Sequence, residues 1–467
     1  MKMRQMLATV CAVFAAGALA AGDGSTRTGG EQDKMIWAEL FHLSSNMWND
    51  DSAENYQTAY RKLRALSPKL LCDRSVWNCW VERTVGTKIN TVVIDLGDGV
   101  RYDSHPEIAI EGSWTKAELR AELARLRKLG LEPIPKLNFS ARHDSWLKIY
   151  HRMLSTPKYY EVCADLIKEV ADLFDHPRFM HLGMDEEGPA KAGEMSVARL
   201  GKLWWNDFLY LCRQVEANGM RPWVWCDFVC TQGDEFFERC PKSIILSSYT
   251  YDFGSANNDN PNMRWMTKAA SLGYDIIPCG SNWGCPENMR ELVSWGLDNV
   301  DPAHLKGFIM ASWARTVPHA RKQGLRAIDC LGDAIEMYEA RNDSERMASA
   351  VWFIKTGMTT AYRTNYPEDR LQYRIGDELV VDFGLTRPMR PVLELQHSYQ
   401  NVPCTITVRA ATRLDGYRAV PDGEALTYVL KEGEYRVEMD KVLGPARFLV
   451  ITADKKFFLT GISVKND

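Results

Sequence analysis

The chain has 467 residues, enough for two or three domains or for one large barrel with an accessory module. Hydrophobic residues make up 45% and charged residues 25%, which excludes a chain that is disordered, collagen-like or coiled-coil throughout. Lys+Arg is 57 against 61 Asp+Glu, a formal charge of −4, so the basic surplus of a nucleic-acid binder is lacking and no nucleic-acid partner is expected.

In chain order, Lys2 and Arg4 form a basic n-region. Met6 to Leu19 is an apolar h-region, and Ala18-Leu19-Ala20 is a cleavage signal. Residues 1–20 therefore read as a signal peptide and 21–35 as a flexible leader, which predicts a secreted or periplasmic protein. The apolar run is short for a membrane span, and no later stretch approaches ~20 uninterrupted apolar residues. Of 12 Cys, removal of Cys11 leaves 12 − 1 = 11. Export permits local disulfides within Cys72/Cys79, Cys226/Cys230/Cys240 and Cys279/Cys285, with at least one thiol left over; buried thiols are the other reading. No CxxC pair supports zinc, and no metal or cofactor is expected.

Residues 36–363 alternate short apolar runs with helical patterns. The strand candidates are Trp37–Leu43, Asn90–Leu96, Glu132–Asn138, Phe179–Gly183, Pro222–Asp227, Ile244–Tyr249, Asp275–Cys279 and Gly307–Trp313. Continuous apolar runs suit parallel strands covered on both faces. Helices are predicted over Thr115–Leu129, with Thr115 and Glu118 at capping-box spacing, Tyr160–Phe174, Val197–Ala217 and Pro261–Leu272. Eight such units predict a (β/α)8 barrel. The open doubly wound sheet does not need eight units, and no Gly-rich phosphate loop follows the first strands. One more helix is predicted over Ser344–Tyr362. From Ile375 the period becomes two, over Glu378–Phe383, Val392–Gln396, Thr405–Ala410, Leu426–Leu430, Glu434–Met439, Arg447–Thr452 and Phe457–Val464. Turn signals such as Pro421-Asp422-Gly423 and Lys431-Glu432-Gly433 separate these strands. Residues 375–467 are thus expected to form a small antiparallel β-sandwich.

In a parallel barrel the chemistry lies at the C-terminal ends of the strands. Those ends carry Asp95 to Arg101, Lys136-Leu137-Asn138 followed by Arg142-His143, and His181 to Glu187. Later ends carry Trp225-Cys226-Asp227, Tyr249, Tyr251-Asp252, Asn282-Trp283 and Trp313-Ala314-Arg315. Aromatic rings match the apolar faces of sugars, and acids and basic groups match their hydroxyls. Asp185-Glu186-Glu187 is the sharpest cluster. Crowded carboxylates raise one another's pKa, and a raised Glu suits a general acid. The alternative for the same residues is a cap for the next helix. Glu187 reads as a cap or a solvent-facing acid, Asp98 and Arg101 as a rim or a surface pair, Asp227 as a cap or a ligand. Trp225, Tyr249, Trp283 and Trp313 read as sugar contacts or as packing under loops.

His181-Leu182-Gly183-Met184-Asp185-Glu186 resembles the His-x-Gly-x-Asp-Glu motif of glycoside hydrolase family 20, the β-N-acetylhexosaminidases. Asp95–Arg101, Trp114–Leu119, Leu129-Gly130-Leu131, Ile134-Pro135, Trp223-Val224-Trp225-Cys226-Asp227 and Trp313 are similar to further segments of that family. The resemblance implies a carbohydrate substrate and retaining, substrate-assisted hydrolysis of β-linked 2-acetamido sugars. It implies that Glu186 is the acid/base and that Asp185 orients the acetamido group. It further implies that His143 supports Glu186, that Trp225, Trp283 and Trp313 wall the sugar, and that Asp98 or Arg101 lies at the rim. The departures are Met184 for a small residue, Asn138 for Asp, an extra residue before His143, Asn282-Trp283 for a Tyr, and Arg315 for an acid; no strand-one Arg matches. Two other readings stay open. One is a retaining glycosidase with a second carboxylate such as Glu287, acting on sugars without an acetamido group. The other is a non-catalytic glycan-binding barrel.

Overall fold

A computed structural model of the chain describes residues 34–48, 65–226, 232–251, 255–283, 288–340, 352–355, 371–372, 379–396, 403–415, 418–431, 436–455 and 458–465. The expected signal peptide, most of the leader, Asp227, Asp252 and Glu287 lie outside these residues, as do Cys230 and Cys285.

Residues 36–340 form a parallel barrel of eight strands, each followed by a helix. The strands are β1 (Ile36–His42), β2 (Thr91–Asp95), β3 (Glu132–Lys136), β4 (Phe179–His181), β5 (Arg221–Trp225), β6 (Ile245–Ser247), β7 (Cys279–Gly280) and β8 (Gly307–Ala311). The helices are α1 (Arg74–Val85), α2 (Lys116–Lys128), α3 (Pro157–Leu173), α4 (Lys202–Ala217), α5 (Asp234–Arg239), α6 (Pro261–Ser271), α7 (Asn288–Asn299) and α8 (Arg321–Ala340). The ladder runs β6-β5-β4-β3-β2-β1-β8-β7. The bridges Leu246↔Ile276 and Tyr249↔Cys279 nearly close it. All eight predicted strands have a counterpart, the seventh shifted from Asp275–Cys279 to Cys279–Gly280 with Ile276 in isolated bridges. α2 starts with the predicted capping box at Thr115 and Glu118. α4 starts at Lys202 rather than Val197, so the segment before it is left to form a loop.

Strand periodicity decides what reaches the barrel mouth. Ile36, Ala38, Leu40, Val93, Ile134, Phe179 and Ile309 fill the interior as one apolar cluster. The intervening residues face the helices, as Trp37 does in stacking on Phe308 at 5.5 Å. Both faces are thus buried, which explains the continuous apolar runs. Carrying the inward parity one step further up gives His42, Asp95, Lys136 and His181. These four are register partners on adjacent strands, His42↔Asp95, Asp95↔Lys136 and Lys136↔His181. The barrel core therefore ends in a polar layer.

The C-terminal region is an antiparallel sheet of β9 (Trp352–Lys355), β10 (Leu371–Gln372), β11 (Leu379–Gln396), β12 (Cys404–Asp415), β13 (Arg418–Leu430), β14 (Arg436–Glu438), β15 (Leu443–Ala453) and β16 (Phe458–Lys465). Three expectations change here. β9 lies inside the segment predicted as a helix and pairs with β11. Trp352, Phe353 and Ile354 are bulky or β-branched residues that suit a strand. The first two predicted strands are one long β11, bent by register shifts near Arg387. Pro421-Asp422-Gly423 does not separate strands. It sits in β13 at a register irregularity against β12, where Asp422 accepts the Thr412 N–H at 3.0 Å. Cys72 and Cys79 do not bridge, and Cys163, Cys212, Cys240 and Cys279 are buried, unbridged thiols.

Candidate active site

Above the polar layer is a cavity of about 200 Å³ lined by Met47, Trp48, Asp95, Lys136, Asn138, His143, Asp185, Glu186, Trp225, Tyr249, Tyr251, Trp283 and Trp313. The expected residues Asp185, Glu186, His143, Trp225, Tyr249, Trp283 and Trp313 all meet there. The rings form a continuous wall. Tyr249 stacks on Tyr251 at 5.2 Å, Trp225 and Tyr251 approach Trp313 at 6.2 and 6.3 Å, and His42 links Trp313 to Trp48 at 5.7 and 4.8 Å.

The acids are presented by a sharp turn after β4. Gly183, Met184 and Glu186 all have left-handed backbones, with φ of 73°, 71° and 62°. Non-glycine residues there cost roughly 1–3 kcal/mol each, and such strain concentrates at functional sites. At the start of the turn His181 accepts the Gly183 N–H on Nδ1 at 3.0 Å. Burial and the nearby Lys136 push its pKa well below the ordinary value, so it is a neutral brace.

The turn separates the three acids. Asp185 accepts a hydrogen bond from Asn138 Nδ2 at 3.1 Å, and its carbonyl accepts one from the Ser140 hydroxyl. Glu186 pairs with Arg142. Glu187 is 1% exposed and turns away from the cavity to Arg199. It is neither a cap nor a solvent-facing acid. Asp185 and Glu186 share His143, whereas Glu187 faces Arg199. For Glu186 the expected elevation is reversed. Burial pushes Glu186 up, but the close approach and charge of His143, with Arg142 and Lys191, outweigh it and hold Glu186 at about 2.

His143 is the hinge of this electrostatic arrangement. Its Nδ1–H donates to the Met47 carbonyl at 2.8 Å. Its Nε2 lies 3.4 Å from Asp185 Oδ2 and 3.3 Å from Glu186 Oε2, ion-pair distances without a well-aligned hydrogen bond. Burial would lower its pKa; the charges of Asp185 and Glu186 prevail and raise it to about 9. The imidazolium's stabilising effect is thus complete below the ordinary 6.5 and disappears as pH rises through about 9. Glu186 works oppositely: its contribution is present above 4.5 and disappears as pH falls through about 2. Urea unfolding at about pH 6 and about pH 10 checks the first statement. Wild type should lose stability between the two, and His143→Gln should lose distinctly less. An equal loss in both would show that His143 does not carry the effect.

Beneath these groups Lys136 and Asp95 form a buried ion pair, 1% and 0% exposed. Burial raises the Asp95 pKa and Lys136 opposes it. With both paired, Asp95, Lys136, Asp185, His143, Glu186 and Arg142 are three anions facing three cations. Periodicity and opposite charge on neighbouring strand ends could have found Asp95 and Lys136. Nothing local could have found Met47 and Trp48, which arrive on the loop after β1.

Asp98 and Arg101 do not line the cavity. Asp98 is fully buried and accepts from Ser44 Oγ at 2.5 Å, Asn46 Nδ2 at 2.8 Å and Lys148 Nζ at 3.4 Å. It ties down the segment that carries Met47 and Trp48. Arg101 is exposed, and its backbone N–H bonds the Trp114 carbonyl at 2.9 Å. Asn282 turns its amide to the Gln323 carbonyl at 2.9 Å, and Arg315 donates to the Ala65 carbonyl at 2.7 Å. Among the described residues no group of three His, Cys, Asp or Glu side chains is placed to hold a metal ion, and no helix is long and apolar enough to cross a membrane.

No protein-family model and no curated protein sequence matches the chain. Solved structures similar to it include the chitobiase of Flavobacterium johnsoniae, with 15% identity, 66% of this chain and 52% of that one covered, and a TM-score of 0.40. The N-acetyl-β-hexosaminidase of Streptomyces plicatus gives 14%, 64% and 64%, and 0.44. A GH29 fucosidase of Ruminococcus gnavus gives 11%, 94% and 93%, and 0.37. The chain thus spans less than two thirds of the first two. Identities this low assign no chemistry to it.

Proposed function

We propose that the protein is an exported glycoside hydrolase acting on β-linked 2-acetamido sugars with retention. The observation that supports this best is the placement of Asp185, Glu186 and His143 on one side of a cavity whose other walls are tryptophan and tyrosine rings. Stacked rings hold a pyranose by its apolar faces, and the acids meet its polar edge. In the reaction the substrate's acetamido oxygen attacks the anomeric carbon as the glycosidic C–O bond breaks. Asp185, itself oriented by Asn138, holds the acetamido N–H. Glu186 gives a proton to the departing oxygen. Water then attacks the anomeric carbon and reopens the cyclic intermediate to the acetamide, and the Glu186 carboxylate takes the proton that this water gives up.

The resting charge state adds a requirement. Glu186 is ionised at neutral pH, so its proton must be loaded. His143 is the adjacent protonated group, 3.3 Å away. A sugar that displaces water from Glu186 weakens its solvation, which favours transfer of the Nε2 proton to the carboxylate. Leaving Nδ1–H on the Met47 carbonyl, the transfer yields a neutral imidazole in a single tautomer.

The test is chromophore release from aryl glycosides with and without the 2-acetamido group. Cleavage confined to the 2-acetamido set supports the reading. Cleavage of plain hexosides replaces it with a two-carboxylate mechanism. Glycan binding without cleavage of either set replaces it with a binding protein.

A further inference from the structure

The two loops that carry the acids and His143 share an anchor outside the cavity. Arg199, on the loop before α4, is 1% exposed. Its Nε and Nη2 donate to the two oxygens of Glu187 at 3.0 and 2.9 Å, a forked arrangement. Its Nη1 donates to Asp207 Oδ2 on α4 at 3.0 Å and to the Tyr159 hydroxyl on α3 at 3.2 Å. Nη2 also reaches the Phe139 carbonyl, and Glu187 Oε1 accepts the Ala141 N–H at 2.6 Å. One guanidinium therefore joins the loop after β3, the loop after β4, α3 and α4. Arg142 and His143 follow directly after the first tied loop segment, and Asp185 and Glu186 directly precede the second.

A cation buried between two carboxylates is a poor device for stability alone. Its desolvation cost is large, and apolar packing of similar volume is often as stable. What it supplies is direction, since a planar fork fixes both distance and angle in a way a lysine cannot. We propose that Arg199 is a positioning residue that acts through Glu187 to hold the Asp185–Glu186 turn against the His143 loop. The turnover part of this inference rests on the glycosidase reading; the geometric part does not.

Full-length Arg199→Lys and Glu187→Gln test it. Lysine keeps the charge and loses the fork; glutamine keeps the shape and loses the charge. Three readouts are needed: thermal unfolding, the His143 titration by NMR with His143→Gln for assignment, and kcat and KM on the best aryl glycoside. His143 faces Asp185, Glu186 and Asp95, so its midpoint reports how closely the two loops are held. The midpoint should fall from about 9 toward the ordinary 6.5 in both variants. The kcat should fall about 10- to 100-fold with KM little changed, because about 1 Å of misplacement costs that much. Folded variants that melt lower but keep the wild-type midpoint and kcat would reduce Arg199 to a stability role and overturn the proposal. If Arg199→Lys does not fold, Glu187→Gln decides on the same readouts. If wild type cleaves no glycoside, the proposed function fails while the titration still decides the positioning role.

Discussion

Glu186→Gln should lower kcat on an aryl 2-acetamido glycoside by about 10²- to 10⁴-fold, the range that a positioned general acid supplies. KM should change little, because the aromatic wall and Asp185 remain. The fold should also remain: the Glu186 side chain is 37% exposed at the cavity surface, so glutamine creates no buried unpaired charge. A second effect follows from the charge arrangement. Glu186 is one of two carboxylates that hold His143 protonated, so its neutral replacement should move the His143 midpoint down from about 9. In wild type, activity should decline as pH rises through that midpoint, because the site then holds one proton fewer to deliver. An unchanged kcat in Glu186→Gln would remove Glu186 from the chemistry. An unchanged His143 midpoint would mean that Asp185 alone holds the imidazolium.

Gly183→Ala should be among the most destabilising single substitutions at the site. The added Cβ would stand 1.9 Å from Asn138 Oδ1, 2.3 Å from its Cγ and 2.9 Å from its Cα. A side-chain rotation cannot relieve the contact with Cα. Asn138 is also committed on both sides, its Oδ1 to the Ser140 N–H at 3.0 Å and its Nδ2 to Asp185 at 3.1 Å. The backbone at φ +73° adds strain of its own. Overpacking and strain together should cost about 2–5 kcal/mol in urea unfolding, with loss of turnover as Asp185 loses its orienting bond. Gly130→Ala is the control. Gly130 has φ +83°, but nothing lies within 4 Å of its Cβ position. That substitution should cost only about 1 kcal/mol and leave activity alone. Equal costs at the two positions would show that the Asn138 contact yields easily.

The barrel was legible because its signals are local. A strand buried on both faces must be apolar at every position, and helices begin at caps such as Thr115 and Asn260. The same parity that fills the interior carries His42, Asp95, Lys136 and His181 to the mouth. Strand ends therefore pointed to Asp185, Glu186, His143 and the tryptophans before any contact was known. The C-terminal sheet was less legible. Bulges merge two predicted strands into β11 and keep a Pro-Asp-Gly segment inside β13, and a ladder partner 30 residues ahead, Asp382, makes Trp352 extended rather than helical. Such outcomes depend on which strand lies alongside, and no short window contains that information.

By itself the sequence determined the eight-unit alternation, the inward parity of each strand and the residue types that parity delivers to the barrel mouth. These follow from periodicity and from the need to cover both faces of a parallel sheet. Only the tertiary structure decided which partners those residues meet. Three adjacent acids looked as though they would raise one another's pKa. A left-handed turn instead sends Asp185 to Asn138, Glu186 to Arg142 and His143, and Glu187 to Arg199. It also gave Asp98 the task of holding the loop on which Met47 and Trp48 arrive. Electrostatic energies depend on separations of a few ångströms between groups far apart in the chain, and those separations exist only once the barrel has brought the loops together.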